Sequence, residues 1–189
     1  GDYPYEKLDK ALNINTGGFS TRLEVIVPGY DENNMQPKFK VMMKTTPEKL
    51  DTSLGLLAEI LSRTRLDSKD RISELLLRLQ SQVESSVIQN GYGVARNRLE
   101  SYYSRRGVFN DMTQGAEYYW FVTGLARQFA EDPGKVIAAL ERNRDLLFSK
   151  TNLVTAITCG EEDYGIFSAS LPSLLSSLPG TPVNLKTWT

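Results

Sequence analysis

The spacing of apolar residues changes from helical to alternating and back along the chain. A stripe at intervals of three and four over residues 4–13 predicts a short helix. From residue 19 onward every second position is apolar or β-branched, which predicts a half-buried strand, and residues 39–45 predict a second one. The segment between them is rich in Pro, Gly, Asp and Asn, so the two strands are expected to pair antiparallel across a turn.

A long helical block follows the strand pair. Thr46 and Pro47 predict the start of one helix, and Asp67 predicts the start of the next, which is expected to run from about residue 68 to 90. Residues 91–93, Gly-Tyr-Gly, are expected to interrupt the helical pattern.

The second half of the chain continues with helices and ends with a strand and a helix. Residues 105–107, Arg-Arg-Gly, are expected to form a loop, and Asp111 with Gln114 predicts a capping box. The pair Asp132-Pro133 predicts the start of another helix. The apolar, β-branched residues 153–159 predict a third strand before a last helix that ends ahead of Leu178-Pro179-Gly180.

This order of elements predicts an α+β fold that is rich in helix. Helices are expected to cover one face of a mostly antiparallel sheet, because no strand–helix–strand alternation occurs. Three strands make a small sheet. Either one more strand is not recognisable from the apolar pattern, or the full sheet uses residues outside this chain. The length of 189 residues favours one domain, which we assign to residues 1–180, with 181–189 as a tail or the start of a linker.

The composition removes several classes of chemistry. The chain has no histidine, so Ser-His-Asp triads, Cys-His pairs and His-ligated zinc are excluded. Its single cysteine, Cys159, excludes an internal disulfide and is expected to be a buried small residue. A net charge of −1 argues against a dedicated nucleic-acid or membrane binder. The absence of a signal-like N-terminus or a long apolar run predicts a cytoplasmic location.

Four features of the sequence are candidate sites. Gly17-Gly18 is either a phosphate cradle or a turn that leads into a strand and needs positive φ. Residues 161–163, Glu-Glu-Asp, are either part of a hard-cation site or the acidic first turn of a helix. Ser149-Lys150 is a weak Ser–Lys candidate at a helix end. A mixed set resembles a basic patch interleaved with aromatics. We interpret it as core tyrosines beside a solvated basic face, with a protein contact as the alternative: Tyr92, Arg96, Arg98, Tyr102, Tyr103, Arg105 and Arg106.

Several blocks, taken in order, resemble the insulinase/pitrilysin family of zinc metallopeptidases. Residues 13–20, Asn-Ile-Asn-Thr-Gly-Gly-Phe-Ser, run into Arg22-Leu23-Glu24-Val25 and resemble a turn and strand of that family. A closer likeness to the C-terminal half of the presequence-protease subgroup comes from five further blocks: Ala58-Glu59-Ile60-Leu61, Asp67-Ser68-Lys69-Asp70-Arg71, Gln89-Asn90-Gly91-Tyr92, Ser101-Tyr102-Tyr103-Ser104 and residues 115–124.

The resemblance implies a fragment of a larger enzyme. Family members are several times longer, with similar α+β domains in two halves that close over a peptide. Their zinc site, an inverted His-x-x-Glu-His motif, lies in the first domain, so no catalytic or metal residue is carried over to a chain without histidine. The chain is therefore expected to be the third of four domains without its opening strand and helix. Zinc is expected in the N-terminal half of the parent enzyme and no cofactor in this chain.

The function implied by the resemblance is that of a noncatalytic domain that helps enclose a peptide-binding chamber. By analogy with the equivalent strand of the catalytic domain, the chamber lining is expected to be Asn15, Thr16, Gly17, Gly18 and Phe19. Expected partners are sister domains of the same polypeptide and, in the parent enzyme, an unstructured peptide. Unpaired sheet edges also predict self-association of the isolated chain.

Two alternatives to a peptidase domain remain open. One is a free-standing α+β interaction module that was never attached to a protease. The other, ranked last, is a hydrolase that uses a Ser–Lys pair or carboxylates.

Overall fold

The computed structural model describes residues 4–31, 34–180 and 182, so the predicted tail lies, apart from Pro182, outside the described residues. The described chain divides into two compact units. The first contains residues up to 22, residues 39–65 and the chain from 141 onward, and the second contains residues 23–38 and 66–140. The assignment of residues 1–180 to one domain of a larger protein stays a prediction.

The two predicted strands form an antiparallel pair. Strand β1 spans Gly18–Ile26 and strand β2 spans Gln36–Lys44, and among the described residues they make a sheet of two strands. Leu23 and Ile26 point to opposite sides of β1, and both are exposed. The pair therefore presents apolar side chains on both of its faces.

The first unit is built on a helical core. Helix α1 spans Tyr5–Asn15, and a single turn of 3₁₀-helix over Pro47–Lys49 leads into α2, Leu50–Arg63. Helix α8, Glu161–Ser177, packs against α2. The buried cluster between them consists of Leu50, Leu54, Ala58 and Leu174, with Met43, Leu57, Phe167 and Leu171 packed around it.

The second unit is helical apart from residues 23–38, which contain the end of β1, the connection between the strands and the start of β2. Its helices are α3, Lys69–Gln89, α4, Gly91–Glu100, α5, Arg105–Gln114, and α6, Ala116–Glu131, followed by the first half of α7, Pro133–Leu147. Helix α6 packs against both α3 and α5. Phe109, Val122, Phe129 and Val136 are buried in this unit. Together the two units confirm the predicted helix-rich α+β class.

The local signals at several helix boundaries are confirmed. Asp132 and Pro133 begin α7, and the Lys135 amide donates to Asp132 Oδ1 at 3.1 Å. The predicted break in the helical pattern is found, but it lies at Asn90 between α3 and α4, and residues 91–93, expected to form the break, are the first turn of α4. The Asn90 side chain accepts a hydrogen bond from the Gly93 amide at 3.3 Å. These bonds satisfy amides that a helix leaves unpaired in its first turn.

Other boundary predictions are wrong. Residues 105–107 are the first turn of α5, because the Ser104 hydroxyl accepts from the Gly107 amide at 2.8 Å and starts the helix there. Asp111 lies inside α5 and does not begin a capping box, and the break falls at Gly115. Thr46 precedes a 3₁₀ turn without a capping bond from its side chain. The residue before α3 is Ser68 rather than Asp67.

The predicted third strand is also not a strand among the described residues. Residues 153–159 have no strand assignment and make no backbone hydrogen bond to another described residue. Val154 is 81% exposed, and Cys159, expected to be buried, is exposed too. A β-branched sequence becomes a strand only where a second strand supplies the other half of the ladder, and none is present among the residues described.

Candidate functional site

The five residues expected to line a chamber form the turn from α1 into β1. Asn15 is the last residue of α1, Thr16 follows it, and Gly18 opens β1. Gly17 and Gly18 are exposed, whereas Asn15, Thr16 and Phe19 are partly buried. The structure thus holds all five in one continuous surface segment of the first unit, which we call the α1–β1 turn, residues 15–19.

Hydrogen bonds from two other elements fix the start of this turn. The Asn15 carbonyl accepts from Thr45 Oγ1 and from Ser53 Oγ, each at 3.0 Å, and the two hydroxyl oxygens are 2.9 Å apart. The neighbouring Ile14 carbonyl accepts from the Lys49 ammonium at 2.7 Å. These carbonyls belong to the last turn of α1, where a helix has no backbone donors of its own to offer. The turn is therefore anchored by side chains and does not depend on the helix alone.

Two glycines then turn the chain into the strand. The Gly17 amide donates to the Lys44 carbonyl at 2.7 Å, which places it opposite the end of β2. Gly18 has a φ of 153°, a conformation that residues with a Cβ rarely adopt. The predicted strand-leading turn with positive φ is confirmed for Gly18.

The chemistry available at this turn is that of backbone and hydroxyl groups. None of the five side chains is ionisable, so the segment offers no general acid or base of its own, and its one hydroxyl is that of Thr16. In the described sheet β1 pairs with β2 on one side, which leaves the other edge of β1 without a strand partner among these residues. An exposed edge of this kind can bind an extended peptide through main-chain hydrogen bonds.

A second polar cluster, the Arg98 cluster, lies in the second unit. Nη1 of Arg98 in α4 donates to Asp111 Oδ2 at 2.8 Å and to Glu117 Oε1 at 2.7 Å. The other carboxylate oxygen of Asp111 accepts from the Ala116 amide at 2.9 Å, so this one buried side chain also caps α6. The cluster therefore ties α4, α5 and α6 together.

Aromatic rings complete the Arg98 cluster. The guanidinium carbon lies 5.5 Å from the ring centroids of Tyr102 and of Trp120, within the range of cation–π attraction. The hydrogen bond to Asp111, and then that to Glu117, raise the pKa of Arg98 above its ordinary value. The Arg98 guanidinium is therefore always protonated, and its contacts stabilise the packing of α4, α5 and α6. The sequence pattern groups Arg98 with a basic patch and misses its partner, because Asp111 is 13 positions away and matches a helix cap by its spacing.

The remaining candidates of the mixed patch are not core residues. Tyr92, Tyr102 and Tyr103 are all more than 70% exposed, so the expectation of core tyrosines is wrong. Tyr92 lies in α4, and Tyr102 and Tyr103 lie in the turn that follows it.

The Ser–Lys and acidic candidates have structural roles. Ser149 is buried, and its hydroxyl bonds the Pro179 carbonyl at 3.2 Å and the Thr151 hydroxyl at 2.8 Å, so it is fixed within the first unit. Lys150 is exposed and follows it in a short 3₁₀ turn. Residues 161–163 form the acidic first turn of α8, where the helix dipole favours negative charge.

The chain does not fit the zinc site that the resemblance implies for the parent enzyme. It contains no histidine and one cysteine, so the usual set of four nitrogen and sulfur ligands cannot be assembled from its sequence. Within residues 4–31, 34–180 and 182, no group of three His, Cys, Asp or Glu side chains is placed to hold a metal ion. No described helix is both long and apolar enough to cross a bilayer, and the cytoplasmic location stays a prediction.

Comparison with known proteins places these observations in a family. The model of the family described as "Peptidase M-16C associated" matches residues 1–125. Protein HypA of Clostridium perfringens is 29% identical over 176 residues, which are 93% of this chain and 18% of that protein. The mitochondrial presequence protease of Gibberella zeae is 28% identical over 196 residues, 98% of this chain and 19% of the relative.

The chain therefore spans less than a fifth of the length of these two relatives. The family match covers well over half of the chain, and it includes the α1–β1 turn as well as the Arg98 cluster. This chain belongs to the peptidase M-16C associated family.

Proposed function

We propose that this chain is a noncatalytic part of a larger peptidase of this family and helps to enclose the chamber in which that enzyme holds peptides. The observation that carries the proposal is the match, over nearly the whole chain, to about a fifth of a presequence protease. Because the chain has no histidine, the zinc of that enzyme would be held by another part of the same polypeptide. This chain alone would bind no stoichiometric zinc.

In this proposal the α1–β1 turn faces the chamber. Three features support the assignment: the turn is exposed at Gly17 and Gly18, it is anchored through the Asn15 carbonyl, and it opens a strand that has β2 as its one strand partner among the described residues. An anchored backbone next to such a strand can align an extended peptide without selecting for its side chains. Sister domains of the same polypeptide would supply the remaining walls.

The experiment uses a bulky side chain to test whether the turn faces the peptide. A Cβ on Gly17 would lie 3.6 Å from the Lys44 side chain, an ordinary contact, so Gly17→Trp can be introduced without the backbone strain expected at Gly18. The matched control is Gly124→Trp on the exposed surface of α6, where a Cβ meets no atom within 4 Å. Both variants are made in the full-length polypeptide that contains this chain.

We expect Gly17→Trp to lower kcat/KM for an unstructured peptide by about tenfold or more, equivalent to ~1.4 kcal/mol of lost transition-state binding. The control is expected to cleave the peptide at the parent rate, and neither variant should unfold below the parent temperature. Equal kcat/KM values for the two variants would contradict the assignment of the turn to the chamber.

A further inference from the structure

The segment Leu153–Cys159 of the first unit combines strand chemistry with an open backbone. Four of its seven residues are β-branched, all seven are exposed, and none belongs to a helix or strand. Leu153 at its start and Gly160 just after its end have extended backbone. Val154 is 81% exposed, and Leu153 and Ile157 are each 37% exposed, so three large apolar side chains of the segment are open to solvent among the described residues. None of its amides or carbonyls bonds to the backbone of another described residue.

The structure holds this segment in place at both ends. On its N-terminal side the Lys150 amide donates to the Pro179 carbonyl at 2.9 Å, and the Ser149 hydroxyl bonds the same carbonyl. On its C-terminal side α8 begins at Glu161, immediately after Gly160, and packs against α2. The segment is therefore held at both ends by a packed core, while its own backbone groups make no ladder with the described residues.

We propose that Leu153–Cys159 accepts a β-strand from a part of the same polypeptide that lies outside residues 1–189. The inference rests on the proposed function, because it requires this chain to belong to a longer protein. The occupant is an extended segment with apolar side chains, since the acceptor offers backbone donors and acceptors together with the exposed side chains of Leu153, Val154 and Ile157.

The length of the relatives and the effective concentration of a linked strand both favour an occupant in the same polypeptide. The two relatives are more than five times as long as the matched region, so most of such a protein is available to supply the strand. A strand that is covalently linked to its acceptor is present at an effective concentration in the millimolar range, far above that of a second molecule in dilute solution. A second copy can therefore occupy the segment only when the linked strand is missing.

The test measures amide hydrogen exchange of residues 153–159 in the full-length polypeptide and in this chain alone, both at low micromolar concentration. We expect these amides to exchange at least about 100-fold more slowly in the full-length polypeptide. Exchange at equal rates in the two samples would overturn the proposal, and so would protection in the full-length polypeptide that rises with its concentration, since this indicates a second copy.

A matched pair of substitutions separates backbone pairing from side-chain packing. Thr155→Pro removes an amide hydrogen and Thr155→Ala keeps it. In the full-length polypeptide we expect Thr155→Pro to abolish the slow exchange and lower Tm, and Thr155→Ala to leave both close to the parent values. Identical behaviour of the two variants would contradict pairing through the backbone.

Peptide cleavage by the same full-length sample separates this inference from the proposed function. Cleavage without slow exchange at residues 153–159 would overturn only the strand pairing. Slow exchange without cleavage would overturn the peptidase assignment and support the pairing.

Discussion

Nη1 of Arg98 lies 2.8 Å from Oδ2 of Asp111, a carboxylate whose side chain is only 1% exposed. The two residues lie on different helices, α4 and α5, and the same carboxylate caps α6. A buried carboxylate is tolerated only while it is paired, so the packing of three helices depends on this contact.

The first prediction concerns this ion pair. Arg98→Met leaves Asp111 buried without its cation, and Asp111→Leu removes the cap of α6, so each variant is expected to lower the denaturant midpoint clearly. The double variant should lose less stability than the sum of the single losses, because neither charge is then left without its partner. The control is Arg106→Met, which removes an exposed arginine of α5.

Stability at alkaline pH provides a further test of the pair. The pKa of Arg98 is raised in the folded state. The stability that the ion pair contributes is therefore fully present below the pKa that Arg98 has in the unfolded chain, and it is lost only as the pH rises through the higher pKa of the folded state. Raising the pH from neutral to mildly alkaline should therefore leave the difference between the parent and Arg98→Met unchanged. Additive losses in the double variant, or a difference that shrinks over this range, would contradict the assignment.

A second prediction concerns Gly107 in α5. A Cβ at this position would collide with the Glu100 carbonyl and lie 2.8 Å from the Ser101 amide nitrogen, and both obstacles are backbone atoms that cannot rotate away. Gly107→Ala is expected to destabilise the chain by about 1–3 kcal/mol in chemical denaturation. Gly124→Ala, in open space on α6, should instead stabilise it by roughly 0.5–1 kcal/mol, since alanine favours helix. If both variants changed the stability in the same direction, the close backbone contact between Gly107 and the end of α4 would be contradicted.

A third prediction tests the anchor of the α1–β1 turn. The Ser53 hydroxyl is fully buried and donates to the Asn15 carbonyl, so Ser53→Ala is expected to cost about 1 kcal/mol of stability. It should also speed exchange of the Gly17 amide, which lies two residues beyond that carbonyl. Ser81→Ala on the exposed surface of α3 is the matched control and should change neither quantity. Unchanged exchange at Gly17 in Ser53→Ala would show that the hydroxyl does not hold the turn.

A fourth prediction concerns the isolated chain at high concentration. With its acceptor segment 153–159 and the outer edge of β1 unpaired among the described residues, the chain is expected to self-associate as its concentration is raised. Sedimentation velocity over a hundredfold concentration range should show an increasing mean sedimentation coefficient, and Thr155→Pro should reduce the increase. A monomer at every concentration would contradict the prediction.

The elements that the sequence predicted correctly have local causes. Asp132 and Pro133 begin a helix because a side-chain acceptor and a preset φ act within three residues. Gly18 opens a strand at positive φ because no other residue adopts that conformation readily. Such effects involve neighbours in the chain and can be inferred from short stretches of sequence.

The sequence-based predictions that are wrong concern residues whose partners are distant in sequence. Asp111 matches a capping box by its spacing to Gln114, but the outcome is decided by Arg98 and by the break at Gly115. The residues 153–159 have the composition of a strand, and whether they form one depends on a partner strand that the described residues do not contain. The α1–β1 turn could be located from Gly17-Gly18, whereas its anchoring by Ser53 could not, because that bond spans 38 positions.

The most direct test of the account compares peptide cleavage by this chain alone with cleavage by the full-length polypeptide that contains it, with and without a zinc chelator. The account predicts that the full-length polypeptide degrades unstructured peptides and stops when zinc is removed, while this chain alone, without histidine, cleaves none. Cleavage by the chain alone that resists the chelator and copurifies with the protein through two orthogonal columns would contradict it.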